Sequence, residues 1–324
     1  GADRTVRQRG GCAVCDRSWC DDRRALAGRD AGVHAEDAHG IELNAMSEPN
    51  PFIEIAGKGR NEWWRYVAGI VLVSACWAGG EVLIALPVFV QEADSTGADL
   101  LLFVALLLSF APALVGVWLA VRFLHGRPFL TLITPRKRIG WNRLAMGFGV
   151  WFAISAGASA VEALLHPGRY QPNPEPLTVL PFLLVGALLI PVQAGAEELF
   201  YRGYLLQGTG LLIRHPLLLA VLNGLLFALP HAGNPETVAS FAKVLLIYLL
   251  AGFFWALITL RSGTLELALG AHIANNLFTT VVANYEATAI PSRSFFVVNE
   301  IDATYQLVTL LVGMGLFYMC CKTG

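Results

Sequence analysis

Three otherwise apolar stretches of this 324-residue chain are interrupted by side chains that move protons or donate hydrogen bonds. One reads Ala196-Glu197-Glu198-Leu199-Phe200-Tyr201-Arg202, the next ends Phe227-Ala228-Leu229-Pro230-His231, and a third carries His272-Ile273-Ala274-Asn275-Asn276. Peptide hydrolysis needs a base for water, donors for a tetrahedral oxyanion and an acid for the leaving amine. Glu197 suits the first role, His272 and Asn276 the second, and protonated Glu197 or His231 the third. On a helix, Glu198 and Arg202 are four residues apart and share a face, so the guanidinium neutralises that carboxylate. Glu197 turns about 100° away and is left to take a proton. Glu197, His231 and His272 also make a zinc ligand set with water in the open position. Glutamate-activated water without a metal is the favoured reading, and no other cofactor is expected.

The elements that must position these groups are set by composition. The chain is 55% hydrophobic with a mean hydropathy of +0.56, and its 23 basic and 24 acidic residues nearly balance, which argues against a nucleic-acid partner. Residues 1–66 hold 21 of those charges, leaving 26 for the 258 residues that follow, too few to solvate a globular surface. Eight apolar segments, near 66–90, 100–123, 143–165, 177–207, 215–232, 241–260, 264–284 and 303–320, are long enough for ~30 Å of hydrocarbon. Backbone amides in lipid have no water, so the expected fold is all-α: a polytopic membrane protein of about eight helices. Basic residues cluster in alternate loops, from Lys58, Arg60 and Arg65 through Arg136, Lys137 and Arg138 to Arg202, Arg214, Arg261 and Lys322. That alternation predicts both termini on the cytoplasmic side.

Counting from each helix's cytoplasmic end at 1.5 Å per residue, Glu197 lies at ~16 Å, His231 at ~22 Å and His272 at ~13 Å. Helices of opposite direction therefore bring all three into one band of about 10 Å near mid-membrane. Charge at that depth costs ~2.5–3.5 kcal/mol per group and marks function by default. Glu81, Glu162 and Glu266 read instead as structural or cavity-lining. His125, His166 and His215 read as solvated at the interface, and Gly79, Gly80, Gly147 and Gly149 as close helix contacts.

Residues 1–45 lack apolar periodicity and are expected to be a disordered tail or upstream extension, with a natural start at Met46 and a single domain over 46–324. Cys12, Cys15 and Cys20 offer a metal knuckle no fourth ligand at recognised spacing, His34 included.

Taken in order, Glu197-Glu198-x-x-x-Arg202, Phe227-x-x-x-His231 and His272-x-x-x-Asn276 resemble the three motifs of the CPBP family. That family comprises the CAAX-type prenyl endopeptidases and their bacterial, bacteriocin-processing relatives. The resemblance covers about residues 140–285 and implies an eight-helix intramembrane peptidase. Glu197 and His231 would activate water, His272 and Asn276 would stabilise the oxyanion, and Glu198 and Arg202 would support them. The partners implied are bilayer lipid and a membrane-associated peptide or protein, prenylated or not, in a bacterial inner membrane. A non-catalytic scaffold or immunity protein on the same fold is the alternative. A proton-coupled transporter is a third, disfavoured because no inverted repeat or broken helix is evident.

Overall fold

The computed structural model describes residues 50–89 and 96–321, with the side chain of Thr96 left aside. The expectations for residues 1–45, Met46, the three N-terminal cysteines, His34 and Lys322 lie outside the described residues.

Among the described residues, seven helices are long and apolar enough to cross a membrane: α1 (Trp63–Phe89), α2 (Gly97–Leu124), α3 (Trp141–Leu165), α4 (Pro176–Gly210), α5 (Pro216–Gly233), α6 (Phe241–Ser262) and α8 (Ala303–Cys320). The remaining expected span, α7 (266–282), is shorter: twelve residues of α-helix, Glu266–Leu277, and then five of π-helix, Phe278–Val282. Its length suits its place, because eight of its first nine residues are buried and other helices surround it. By contrast, Leu83, Leu164, Leu184 and Leu188 lie 67–81% exposed, as lipid-facing side chains must. The protein is an integral, multi-pass membrane protein.

Local chemistry sets the boundaries. Asp302 caps α8, its carboxylate accepting from Thr304 N (3.1 Å) and Tyr305 N (3.0 Å). Gly263, at φ +66°, closes α6 with the left-handed turn that a side chain would strain, and α7 starts three residues later. One departure from an all-α reading is a small sheet. Strands β1 (Tyr170–Pro172), β2 (Ala283–Tyr285) and β3 (Phe296–Val298) run in the order β1-β3-β2, antiparallel then parallel. It pairs the backbone of the loops that follow α3 and α7, whose amides no helix satisfies.

Two glycine crossings set the helices that carry imidazoles. A Cβ on Gly270 would stand 2.1 Å from the Leu144 carbonyl oxygen, and one on Gly147 would stand 2.3 Å from that of Leu267, so α3 and α7 pack backbone to backbone. Gly224 of α5 meets Gly252 of α6 in the same way, a Cβ on Gly252 falling 2.9 Å from the Gly224 Cα. Gly80 is a close contact as well, against the Ser109 carbonyl. Gly79 and Gly149 are not: a Cβ on either would meet nothing within 4 Å, because each turns away from its neighbour helix.

Candidate active site

On α4, Glu197 and Glu198 end the regular helix, and a seven-residue π segment, Leu199–Leu205, follows at once. Such a widening inserts an extra residue in the turn, a feature common at functional sites. Within it Arg202 folds back on Glu198, its Nη1 lying 2.8 Å from Glu198 Oε1 with both side chains fully buried. The contact is an ion pair and not an aligned hydrogen bond, since Arg202 Nε and Nη1 and Glu198 Oε2 have no hydrogen-bond partner among the described residues. Arg202 also lies over the Phe227 ring, 4.4 Å from its centre, and its Nη2 donates to the Gly252 carbonyl at 3.4 Å.

His231 sits just past the α-helical part of α5, on the turn Leu229–Gly233, because Pro230 has no N–H with which to continue the helix. Its Nδ1 is 2.7 Å from the Phe227 carbonyl oxygen. A carbonyl only accepts, so Nδ1 carries the hydrogen and Nε2 presents its lone pair. That Nε2 faces Glu197 Oε1 at 3.9 Å. The Tyr248 ring from α6 covers His231 at 4.2 Å between centres, and its hydroxyl accepts from Asn234 Nδ2 at 3.0 Å.

His272, 4% exposed on α7, joins the two carboxylates. Nδ1 lies 2.8 Å from Glu198 Oε1 and Nε2 3.3 Å from Glu197 Oε2. Because Glu198 accepts at Nδ1, that nitrogen is protonated, and any hydrogen at Nε2 points toward Glu197. Three helices thus bring five of the six predicted residues, Glu197, Glu198, Arg202, His231 and His272, into one cluster. Asn276 lies one turn along α7 and donates to Gln193 Oε1 at 2.8 Å. Sequence reading passed over Gln193, although a polar residue four before Glu197 in an apolar span was a usable signal. It also passed over Tyr248, Trp151 and Asn275, whose roles depend on which helices become neighbours.

Other polar side chains have structural partners. Glu81 accepts from Ser109 Oγ at 3.0 Å, and buried Glu266 accepts from Gly140 N at 2.9 Å with Arg143 Nε 3.7 Å away. Glu162 accepts from Arg169 Nη1 at 2.8 Å and from the Tyr170 hydroxyl at 2.7 Å. His166 and His215 are exposed. His125 corrects the sequence reading: it is fully buried, held by the Arg60 carbonyl (2.7 Å) and the Tyr204 hydroxyl (2.8 Å), because the segment before α1 folds over it.

Among the described residues no group of three or more His, Cys, Asp or Glu side chains is arranged to hold a metal ion.

Residues 176–278 match the family model described as type II CAAX prenyl endopeptidase Rce1-like. The chain is 41% identical over 167 residues to the uncharacterized protein YyaK of Bacillus subtilis (strain 168), across 51% of this chain and 56% of that protein. It thus spans little more than half the length of that curated relative. No solved structure matches. The matched stretch contains all six predicted site residues, and over it the chain is similar to the CAAX prenyl endopeptidase Rce1-like family.

Proposed function

We propose that this protein is an intramembrane endopeptidase that hydrolyses a peptide bond of a membrane-associated substrate with water activated by Glu197 and His231. One observation carries the reading: among the described residues the Glu197 carboxylate has no hydrogen-bond partner, yet its two oxygens face the Nε2 atoms of imidazoles from two other helices at 3.3 and 3.9 Å. A contact of 3.9 Å between two acceptors is too long for a direct bond and suits a water that donates to both. The lone pairs of that water are then left free for a carbonyl carbon.

In the reaction Glu197 takes one proton as the water oxygen attacks the carbonyl carbon. The resulting oxyanion is met by Asn276 Nδ2–H and by His272 through Nε2–H, since the Nδ1 hydrogen is held by Glu198. Collapse breaks the C–N bond, and the proton held on Glu197 or His231 passes to the departing amine, leaving a carboxylic acid and an amine. Positioned proton transfer contributes ~10²–10⁴-fold in rate, and each oxyanion donor ~10²–10³-fold. Arg202 and Glu198 fix the ring of His272 and hold its Nδ1 hydrogen.

The family description raises a prenylated C-terminal tail as one substrate class. The test is cleavage in proteoliposomes of a peptide panel with and without prenyl groups, by wild type and by Glu197→Gln. Cleavage by wild type and its loss in the variant are expected. A variant as active as wild type overturns the reading, and cleavage by neither favours a scaffold on the same fold. Stoichiometric zinc, lost together with activity on chelation, would replace the glutamate-centred step.

A further inference from the structure

Asn276 is reached by a line of side chains that begins on another helix. Trp151 of α3 donates from Nε1 to Asn275 Oδ1 at 3.1 Å. Asn275 Nδ2 donates to Asn276 Oδ1 at 3.1 Å, and Asn276 Nδ2 donates to Gln193 Oε1 of α4 at 2.8 Å. Trp151 and Gln193, at the two ends, are each 3% exposed, and the two asparagines are half-buried.

The direction of this line has a physical origin. A side-chain amide can turn over and exchange its oxygen for its amino group at little steric expense. An indole N–H donates only, so Asn275 must offer its oxygen at that end. Its amino group is thereby turned to Asn276, whose oxygen is occupied and whose amino group is turned to Gln193. Reversing any one amide sets donor against donor at one contact and acceptor against acceptor at the next. Buried polar groups left unpaired in this way lose about 1–3 kcal/mol apiece.

We propose that Trp151, Asn275 and Gln193 are positioning residues that hold Asn276 with its amino group, and not its oxygen, toward the reacting centre. The inference rests on the peptidase reading and deepens it. One N–H of Asn276 is spent on Gln193, and the second is available to an oxyanion. Gln193 stands four residues before Glu197 on the same helix face, so the line ends beside the carboxylate that activates water.

The decisive variant is Asn275→Asp, nearly identical in shape. A carboxylate still accepts from Trp151 but has no hydrogen to give Asn276, whose amide must then turn its amino group back toward residue 275. The expected result is a fall in kcat of ~10²-fold, approaching that of Asn276→Ala, with KM within a few-fold of wild type. Asn275→Leu, which removes the contact without reversing it, falls less. The double variant Asn275→Asp with Asn276→Ala is expected to be no slower than Asn276→Ala alone, since residue 275 acts through 276. Effects that multiply, or an Asn275→Asp enzyme as fast as wild type, overturn the proposal while leaving Glu197 and the peptidase reading intact.

Trp151→Phe serves if Asn275→Asp does not fold, and a second readout needs no activity. In protein labelled with ¹⁵N at asparagine, the side-chain N–H signals of Asn276 are expected to move on Trp151→Phe. Unmoved signals overturn the proposal even if no substrate is cleaved.

Discussion

Glu162 and Glu197 are two carboxylates on membrane helices, 4% and 5% exposed, and they are served in opposite ways. Glu162 has both oxygens occupied, one by the Arg169 guanidinium at 2.8 Å and one by the Tyr170 hydroxyl at 2.7 Å, and Arg169 also reaches Asp302 at 3.5 Å. Among the described residues, Glu197 has neither oxygen in a hydrogen bond and meets two imidazoles at longer range. A satisfied buried carboxylate is inert. An unsatisfied one keeps lone pairs free to accept from a water. Glu198, between the two cases, has one oxygen shared by His272 and Arg202 and the other without a partner among the described residues.

Breaking the comparison at its reactive end gives the largest effect. Glu197→Gln keeps shape and is expected to lower kcat by ~10³-fold or more through loss of the base. Its thermal midpoint should stay level or rise, since no good contact is lost. A midpoint several degrees lower would place Glu197 with Glu162 as a structural group. Next comes Arg202→Met, which leaves the Glu198 charge buried beside His272 with no cation. Breaking a buried pair costs about 3–5 kcal/mol, so denaturation in detergent should show a clear loss of stability along with activity. Unchanged stability would mean that Glu198 does not need its guanidinium. Glu162→Gln is smaller, about 1–2 kcal/mol of stability for one weakened charged hydrogen bond, with kcat unchanged. A fall in kcat without loss of stability would draw Glu162 into the chemistry.

How far the sequence anticipates this molecule depends on whether a feature is set along one helix or between two. Span positions were legible because hydrocarbon thickness fixes helix length, and the common depth of Glu197, His231 and His272 followed from counting residues. The pairing of Glu198 with Arg202 was legible as a spacing of four. The bond from Glu198 to His272 was not, nor was the line from Trp151 to Gln193, since each joins helices whose neighbours are chosen by glycine crossings. Gly270 and Gly252, which set two of these crossings, carry no periodic mark in the sequence. His125 shows the same limit: a histidine just beyond an apolar run reads as solvated until Arg60 and Tyr204 are seen to enclose it.

That histidine supplies the mildest test, at the end of the bundle away from Glu162. Burial, and then the nearby Arg127 and Arg65, outweigh the Arg60 carbonyl and hold the His125 imidazole below its ordinary range. The unfolded chain therefore binds a proton at higher pH than the folded one does. Stability from this group is complete above about pH 6.5, the ordinary imidazole value, and declines as the pH falls below it. A His125→Gln variant does not take up that proton. Its thermal midpoint should be lower than wild type at neutral pH, where the bonds to Arg60 and Tyr204 are strongest, and the gap should narrow on acidification. A gap that stays constant across that interval would mean His125 is protonated as readily in the fold as in water, and that its enclosure carries no electrostatic consequence.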